Sequence, residues 1–284
     1  MGVMSIQETT TIVPTQAEKA ELFRALHEGP EPLLLPNPWD VGSAKLLGWL
    51  GFAALATTSG GFAATLGRLD GSVTRDEALA HGAELAAATS LPVSADLENA
   101  FADEPEGAAE TIRMAVEAGL AGCSVEDFTG QPDSPIYDIA LATDRIAAAA
   151  AAAKAGLVQL VITARAENYL HGRPDLADTI ARLQAYQEAG ADVLYAPGLT
   201  SLDDIRRVVS AVDRPVNVLA LPGGPTVPQL AEAGVRRVSV GSAFAFAALG
   251  ALVEAGRELR EQGSYGFLEL AKSGRAAVRA AFTG

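Results

Sequence analysis

Residues 188–241, EAGADVLYAPGLTSLDDIRRVVSAVDRPVNVLALPGGPTVPQLAEAGVRRVSVG, carry the pattern that decides the fold. Three short apolar or β-branched runs, at 193–195, 216–219 and 238–241, are separated by longer segments with helical punctuation. Ser201-Leu-Asp-Asp sets a capping hydroxyl ahead of an acidic first turn, Pro228 suits the opening turn of a helix, and Glu-Ala-Gly closes a helix before the next strand. Strand and helix alternating at this spacing form βα units, which imply parallel strands.

The same grammar extends backwards through the chain. Further strands are expected at 33–35, 53–57, 92–96, 123–126 and 160–164, giving eight. Thr74-Arg-Asp-Glu77 reads as a capping box, and glycine stops recur at Gly119, Gly156, Gly190 and Gly234. The alanine run 147–153 falls inside a helical segment, where alanine is the best helix former. Eight units with no linker or shift in composition point to one domain over 1–284, a (β/α)8 TIM barrel of the α/β class. A doubly wound sheet with a small appendage is the alternative. Residues 17–27 read as an extra amphipathic helix covering the barrel bottom, and 263–282 exceed what a barrel requires, so a role in assembly is expected of them.

Composition narrows the function. Hydrophobic residues make up 49% and charged residues 20%, enough apolar surface for a large core. Thirty-five acidic residues against 21 basic ones give a formal charge of -14, with no basic run, which argues against a nucleic-acid partner. The single Cys123 lies in an apolar run and reads as a small core residue, in keeping with a reducing cytoplasm. Residues 1–15 lack a basic-then-apolar leader, and no apolar stretch is long enough to span a membrane.

Barrel enzymes carry their chemistry at the carboxyl ends of the strands. There the chain places Asn37, then Thr58-Ser59-Gly60-Gly61, Asp96-Leu97-Glu98-Asn99, Glu126-Asp127, and Arg165 followed by Glu167. Asp96 and Glu98, two apart at a strand end, are expected to face the same way. A hard cation would offset their repulsion, Mg²⁺ in the first place with Mn²⁺ the alternative, and Glu126 and Asp70 could bind it through water. A salt bridge to Arg165 is the competing reading. Zinc is disfavoured because His27, His81 and His171 lack ligand spacing, and His27 and His81 are expected at the surface. Ser59-Gly60-Gly61 suits either an anion cradle or a tight turn, and Arg165 supplies a matching bidentate cation. Gly223-Gly224 and Gly241-Ser242 fit a phosphate site or plain turns equally.

These residues, in this order, resemble the isocitrate lyase/phosphoenolpyruvate mutase superfamily over roughly 37–242. The likeness rests on Pro36-Asn37-Pro38-Trp39-Asp40, Ser59-Gly60-Gly61, Asp70, Asp96-x-Glu98, Val125-Glu126-Asp127 and Ala164-Arg165. It implies a barrel that exchanges a helix between subunits, hence a dimer or tetramer and a use for 263–282. It implies that Asp96 binds Mg²⁺ directly and that Glu98, Glu126 and Asp70 do so largely through water. Ser59, Gly60, Gly61 and Arg165 would hold a small carboxylic acid, with Asn37, Asn217 and Tyr195 as further contacts. Arg165, Glu126 and Ser59 are the catalytic candidates.

The chain departs from the family at three places. Glu98 stands where the family has Asp. The loop 127–137 lacks the Lys, Cys and His of the acid-bearing motif, and Tyr195-Ala196-Pro197-Gly198 replaces a glutamate after the sixth strand. What remains suits a Mg²⁺-dependent lyase or decarboxylase acting on an oxaloacetate-like 2-oxo acid through an enolate, with Tyr195, Ser134 or a metal-bound water returning the proton. Phosphonopyruvate hydrolysis or mutase chemistry, and a 2-oxo-acid binding protein without turnover, are the alternatives. A Schiff-base mechanism is set aside because Lys19, Lys45, Lys154 and Lys272 all fall in helical segments.

Overall fold

The computed structural model describes residues 14–283; the leader reading of residues 1–15 falls outside them up to residue 13. After α1 (Gln16–Ala25) the chain runs β1 (Leu33–Leu35), α2 (Val41–Trp49), β2 (Leu55–Ala56), α3 (Ser59–Thr65), α4 (Arg75–Ala88) and β3 (Val93–Asp96). It continues through α5 (Pro105–Glu117), β4 (Gly122–Glu126), α6 (Ile139–Ala153), β5 (Val161–Arg165), α7 (Leu176–Glu188), β6 (Val193–Tyr195) and α8 (Leu202–Ala211). The last elements are β7 (Val216–Leu219), α9 (Val227–Glu232), β8 (Arg237–Ser239), α10 (Ala243–Arg257) and α11 (Leu268–Phe282).

All strand pairs are parallel, in the order β1-β8-β7-β6-β5-β4-β3-β2. Between β1 and β2 the backbone contact is the Ala56 amide donating to Pro36 O at 3.1 Å, so the barrel is nearly closed. The eight expected strands are all present, β1, β6 and β7 with the expected bounds and the others with ends shifted by at most two residues. Thr74 and Glu77 form the capping box of α4, Ser201 caps α8, and Pro228 lies in the first turn of α9. Gly119, Gly190 and Gly234 take the left-handed backbone expected past a helix end; Gly156 does not.

The apolar core lies mostly between the sheet and its helices, with Leu85, Ile112, Ile162, Leu183 and Leu194 fully buried. A second cluster plugs the bottom: Ala20 and Phe23 of α1 meet Leu33, Ala121, Val161 and Val193 at the strand starts. The plug explains Gly122, where an added Cβ would come within 2.8 Å of the Phe23 ring and 2.7 Å of Val161 O. Lys19 anchors α1 through its ammonium, which donates to Ala86 O and Thr89 O.

Two expectations about histidine are corrected. His27 and His81 are buried, not exposed. Burial pushes the His27 imidazole down to about 3, with Arg237 adding to the effect, and burial lowers His81 to about 4. Both rings are therefore neutral fillers: His27 packs edge-on to Phe23, and His81 stacks on Phe62. Cys123 is buried in the core as expected.

A polar knot pins the upper barrel. Asp127, just past β4, accepts from the Tyr186 hydroxyl at 2.6 Å and Arg182 Nη1 at 3.1 Å, both on α7, and from the Glu167 amide at 2.8 Å. Arg182 also donates to Tyr137 O, so the loops after β4 and β5 are tied to one helix.

Two stability predictions follow from these contacts. Phe23→Ala empties the plug and should lower the unfolding free energy by about 3–5 kcal/mol, read by urea denaturation. Asp127→Ala leaves the buried Tyr186 hydroxyl and the Glu167 amide without their acceptor and takes one of two carboxylates from Arg182, and should cost about 3–5 kcal/mol; a loss below about 1 kcal/mol would show that the knot is dispensable.

Candidate active site

At the carboxyl end of the barrel a cavity of about 200 Å³ opens between Ser59, Asp70, Asp96, Ser124, Arg165 and Tyr195. It adjoins a second of about 250 Å³, lined by Ser59, Asp70, Glu98, Glu126, Arg165 and Glu167. The charged residues singled out from the sequence are thus brought together.

Arg165, at the end of β5, is the hub. Its Nη1 lies 2.8 Å from Asp96 Oδ1, its Nη2 3.1 Å from Glu126 Oε2, and its Nε 2.8 Å from Glu167 Oε1. Burial works against the guanidinium charge, but Glu167, Glu126 and Asp96 outweigh it and hold the pKa well above the ordinary value. The salt-bridge reading of Asp96 is therefore correct, and Glu98 is no part of it. Arg165, expected to hold substrate, already meets three carboxylates.

The carboxylates outnumber their cation. Burial pushes Glu98 up to about 7, with Asp96 and Asp70 adding to the shift. Burial also raises Glu126 well above the carboxylate range despite Arg165, and Glu167, Asp96 and Glu98 push the same way. Three carboxylates ring one guanidinium, and Asp70 and Glu98 add their oxygens to the same space.

Glu98 reaches this space by a route the sequence did not signal. The strand ends at Asp96, Leu97 turns into the core, and Glu98 takes a left-handed backbone at φ 48°, followed by Ala100 at 58° and Phe101 at 53°. Strand alternation therefore does not align Asp96 with Glu98; a turn in a region disfavoured for non-glycine residues does. Three such residues within four positions concentrate backbone strain at the site.

The serine-glycine motif forms the first turn of α3. The Ser59 amide, expected to face a substrate anion, donates to Asp96 Oδ2 at 3.2 Å. A Cβ at Gly60 would lie 2.8 Å from Ser242 Oγ and 3.0 Å from Asp70 Oδ2; at Gly61 it would lie 2.5 Å from Thr58 Cγ2. Glycine is thus required at Gly61, which meets fixed carbon atoms, whereas at Gly60 a side chain would push aside the ends of Ser242 and Asp70.

The remaining candidates divide. Tyr195 lines the cavity beneath the Arg165 guanidinium, 5.2 Å from it, and burial holds its phenol up at about 12. Asn37 lines it too, but its amide is taken up by Thr57 O and by the Val240 and Gly241 N–H groups, so it braces the β8 end. Asn217 bonds Ser239 and the buried Arg237. Ser134 sits exposed in the 127–137 hairpin, outside both cavity linings, and is removed as a proton donor. Glu167 and Asp127 stand at strand ends as the sequence indicates, but their roles as partner of Arg165 and anchor of the loops were not assigned from it. Glu167 stands two residues past Arg165 and could have been found from that spacing; Asp127 could not, because its partners are 55 and 59 residues away.

Among the described residues no three acidic, histidine or cysteine side chains form a ready cation cage. The donor set nonetheless fits a hard divalent ion. It is all oxygen, its carboxyl groups outnumber the one guanidinium, a cation would favour the ionised forms that burial now disfavours, and Mg²⁺ needs only one or two carboxylates when water and substrate supply the rest.

Residues 23–260 match the family described as phosphoenolpyruvate phosphomutase. The 2-methylisocitrate lyase of Escherichia coli is 32% identical, over 68% of this chain and 67% of that protein. The oxaloacetate decarboxylase of Chromohalobacter salexigens is 28% identical, over 87% and 88% of the two chains. The crystal structure of a candidate lyase or mutase from Burkholderia cenocepacia J2315 superposes with a TM-score of 0.90 at 55% identity, covering 93% of this chain and 95% of that one. With the family's residues gathered at the end of its barrel, this chain belongs to the isocitrate lyase/phosphoenolpyruvate mutase superfamily.

Proposed function

We propose that the protein is a Mg²⁺-dependent lyase acting on a small 2-oxo acid, and specifically a decarboxylase of oxaloacetate or a close relative. The observation that carries this reading is Arg165 held among Asp96, Glu126 and Glu167 at the wall of a small polar cavity. Decarboxylation breaks the bond to the departing carboxylate and moves its electron pair into the 2-oxo group, giving an enolate. A fixed guanidinium beside that oxygen stabilises the charge as it grows. The likeness to an oxaloacetate decarboxylase along most of both chains supports the same chemistry.

Asp96 would hold the metal directly, and Glu98, Glu126 and Asp70 would hold its waters. When bound, Mg²⁺ supplies Lewis-acid polarisation of the substrate's 2-oxo oxygen, and Mn²⁺ can replace it. Retro-aldol cleavage of a hydroxy acid needs a base to take the hydroxyl proton as well as an acid. Decarboxylation needs no such base, which favours it in a chain whose 127–137 hairpin carries neither Lys, Cys nor His.

The same reading includes assembly. Phe246, Leu249 and Leu252 of α10 and Leu268, Leu270 and Val278 of α11 are exposed, and no residue of α11 is buried. Exposed apolar side chains in this number on two neighbouring C-terminal helices favour a second copy of the chain as their cover, in a dimer or tetramer.

The deciding assay is pyruvate release from oxaloacetate, with Mg²⁺ and then EDTA, corrected for metal-catalysed background, with Asp96→Ala alongside. EDTA and Asp96→Ala should each reduce turnover by about 100-fold or more. Release that survives both would overturn the metal role. Phosphonopyruvate turnover, or metal-dependent binding of oxaloacetate with no product, would replace the decarboxylase reading.

A further inference from the structure

An enolate must be given a proton, and the hairpin where relatives of this fold are expected to carry their acid holds no suitable group. Tyr137, at its end, donates its hydroxyl to Asp103. Tyr195 is buried beneath Arg165 and holds its proton tightly.

His171 lies at the mouth of the same cavity as Ser59, Glu98, Glu126 and Arg165. It comes from the connection after β5, six residues beyond Arg165. Its ring lies flat on that of Phe128, with centroids 3.7 Å apart and planes 4° apart, and Phe128 opens the acid-free hairpin. Its Nε2 is 3.7 Å from Glu167 Oε2, and its amide donates to Glu167 O at 3.2 Å. The imidazole is thus packed on one face against an aromatic ring and tied through its own backbone to Glu167 O, with the carboxylate that orients Arg165 near one edge of the ring. The side chain remains 26% exposed, so it can exchange protons with solvent in every turnover.

We propose that His171 is the general acid of this site and takes the place of the missing hairpin acid. The assignment rests on the enolate chemistry proposed above. An imidazolium N–H gives its proton to the enolate carbon, the carbon-carbon double bond supplies the electron pair for the new C–H bond, and the ketone re-forms. The neutral imidazole then takes a proton from water at the mouth. Glu167 on its own loop, Asp127 on the hairpin and Arg165 at the strand end are the charged groups around the ring.

The test compares wild type with His171→Ala and His171→Gln on the full chain, with 2-oxo acid as substrate and the ketone product read by a coupled dehydrogenase. His171→Ala should lower kcat by about 100-fold with little change in KM, and added imidazole should restore turnover in this variant. His171→Gln, which keeps a side chain against Phe128 but has no transferable proton, should be equally slow and not be rescued. Unchanged thermal unfolding of both variants sets aside a folding defect. An active wild type whose His171→Ala variant keeps kcat within about threefold, or loses activity only through KM, overturns the acid assignment and leaves the decarboxylase reading intact. A wild type that turns over no 2-oxo acid overturns the reading on which the assignment rests.

Discussion

A buried guanidinium among several carboxylates is costly to assemble, because every charge must give up water, and it holds only when each partner is fixed. Arg165 meets this condition through a chain of contacts reaching the outer helices. Tyr186 and Arg182 of α7 hold Asp127, Asp127 holds the Glu167 backbone, Glu167 and Asp96 hold Arg165, and Asp96 accepts the Ser59 amide. Each link is a short polar contact, running from α7 through the loops after β4 and β5 to the ends of β5 and β3 and on to the start of α3. Removing the outermost link would therefore disturb the innermost one without touching the cavity. The surplus of negative charge around Arg165 has a counterpart lower in the barrel. There Arg237 lies buried between Asn217, Thr163 and His27, and burial lowers it to about 9. Anions crowd the top of the barrel and a cation sits in its polar interior, with an apolar plug sealing the base.

That layering explains why the fold was legible from sequence. Strands buried on both faces read as short apolar runs, and helices between them carry caps whose chemistry is local, as at Thr74, Ser201 and Pro228. Local rules also placed Asp96, Glu126 and Arg165 at strand ends. They failed where tertiary contacts override them. His81 lies within a helix whose sequence does not show what packs on it, and Phe62 from α3 covers it. Glu98 joins the site through a left-handed turn that no strand periodicity signals. Asn37 sits at a strand end like the reactive groups, but three backbone atoms had already claimed its amide.

Glycine motifs show the same division between what sequence suggests and what packing decides. Ser59-Gly60-Gly61 invites a reading as a cradle of free amides, because glycine exposes backbone. In the folded chain Gly60 has a different use: a side chain there would displace the ends of Asp70 and Ser242, which close over it. The glycine still serves the site, since it lets a carboxylate from the loop after α3 stand beside those of the barrel. A substitution at Gly60 would act on the acidic cluster before it acted on any bound anion.

The departures from the family pattern are mutually consistent. The stretch 195–198, where the resemblance implies a glutamate, carries no acidic residue, and Tyr195 at the end of β6 sets a neutral ring 5.2 Å from the Arg165 guanidinium. In a site already richer in carboxylates than in cations, a further anion there would raise the energy of every ionised neighbour. The hairpin after β4, stripped of its acid, closes on itself through the Phe128–Ile136 bridge and presents Phe128 to His171. Loss of charge at one strand end and loss of reactivity at another leave the core of Asp96, Glu126, Glu167 and Arg165 untouched. Proton delivery, the step those losses affect, is also the one that a group at the cavity mouth can supply from outside that core.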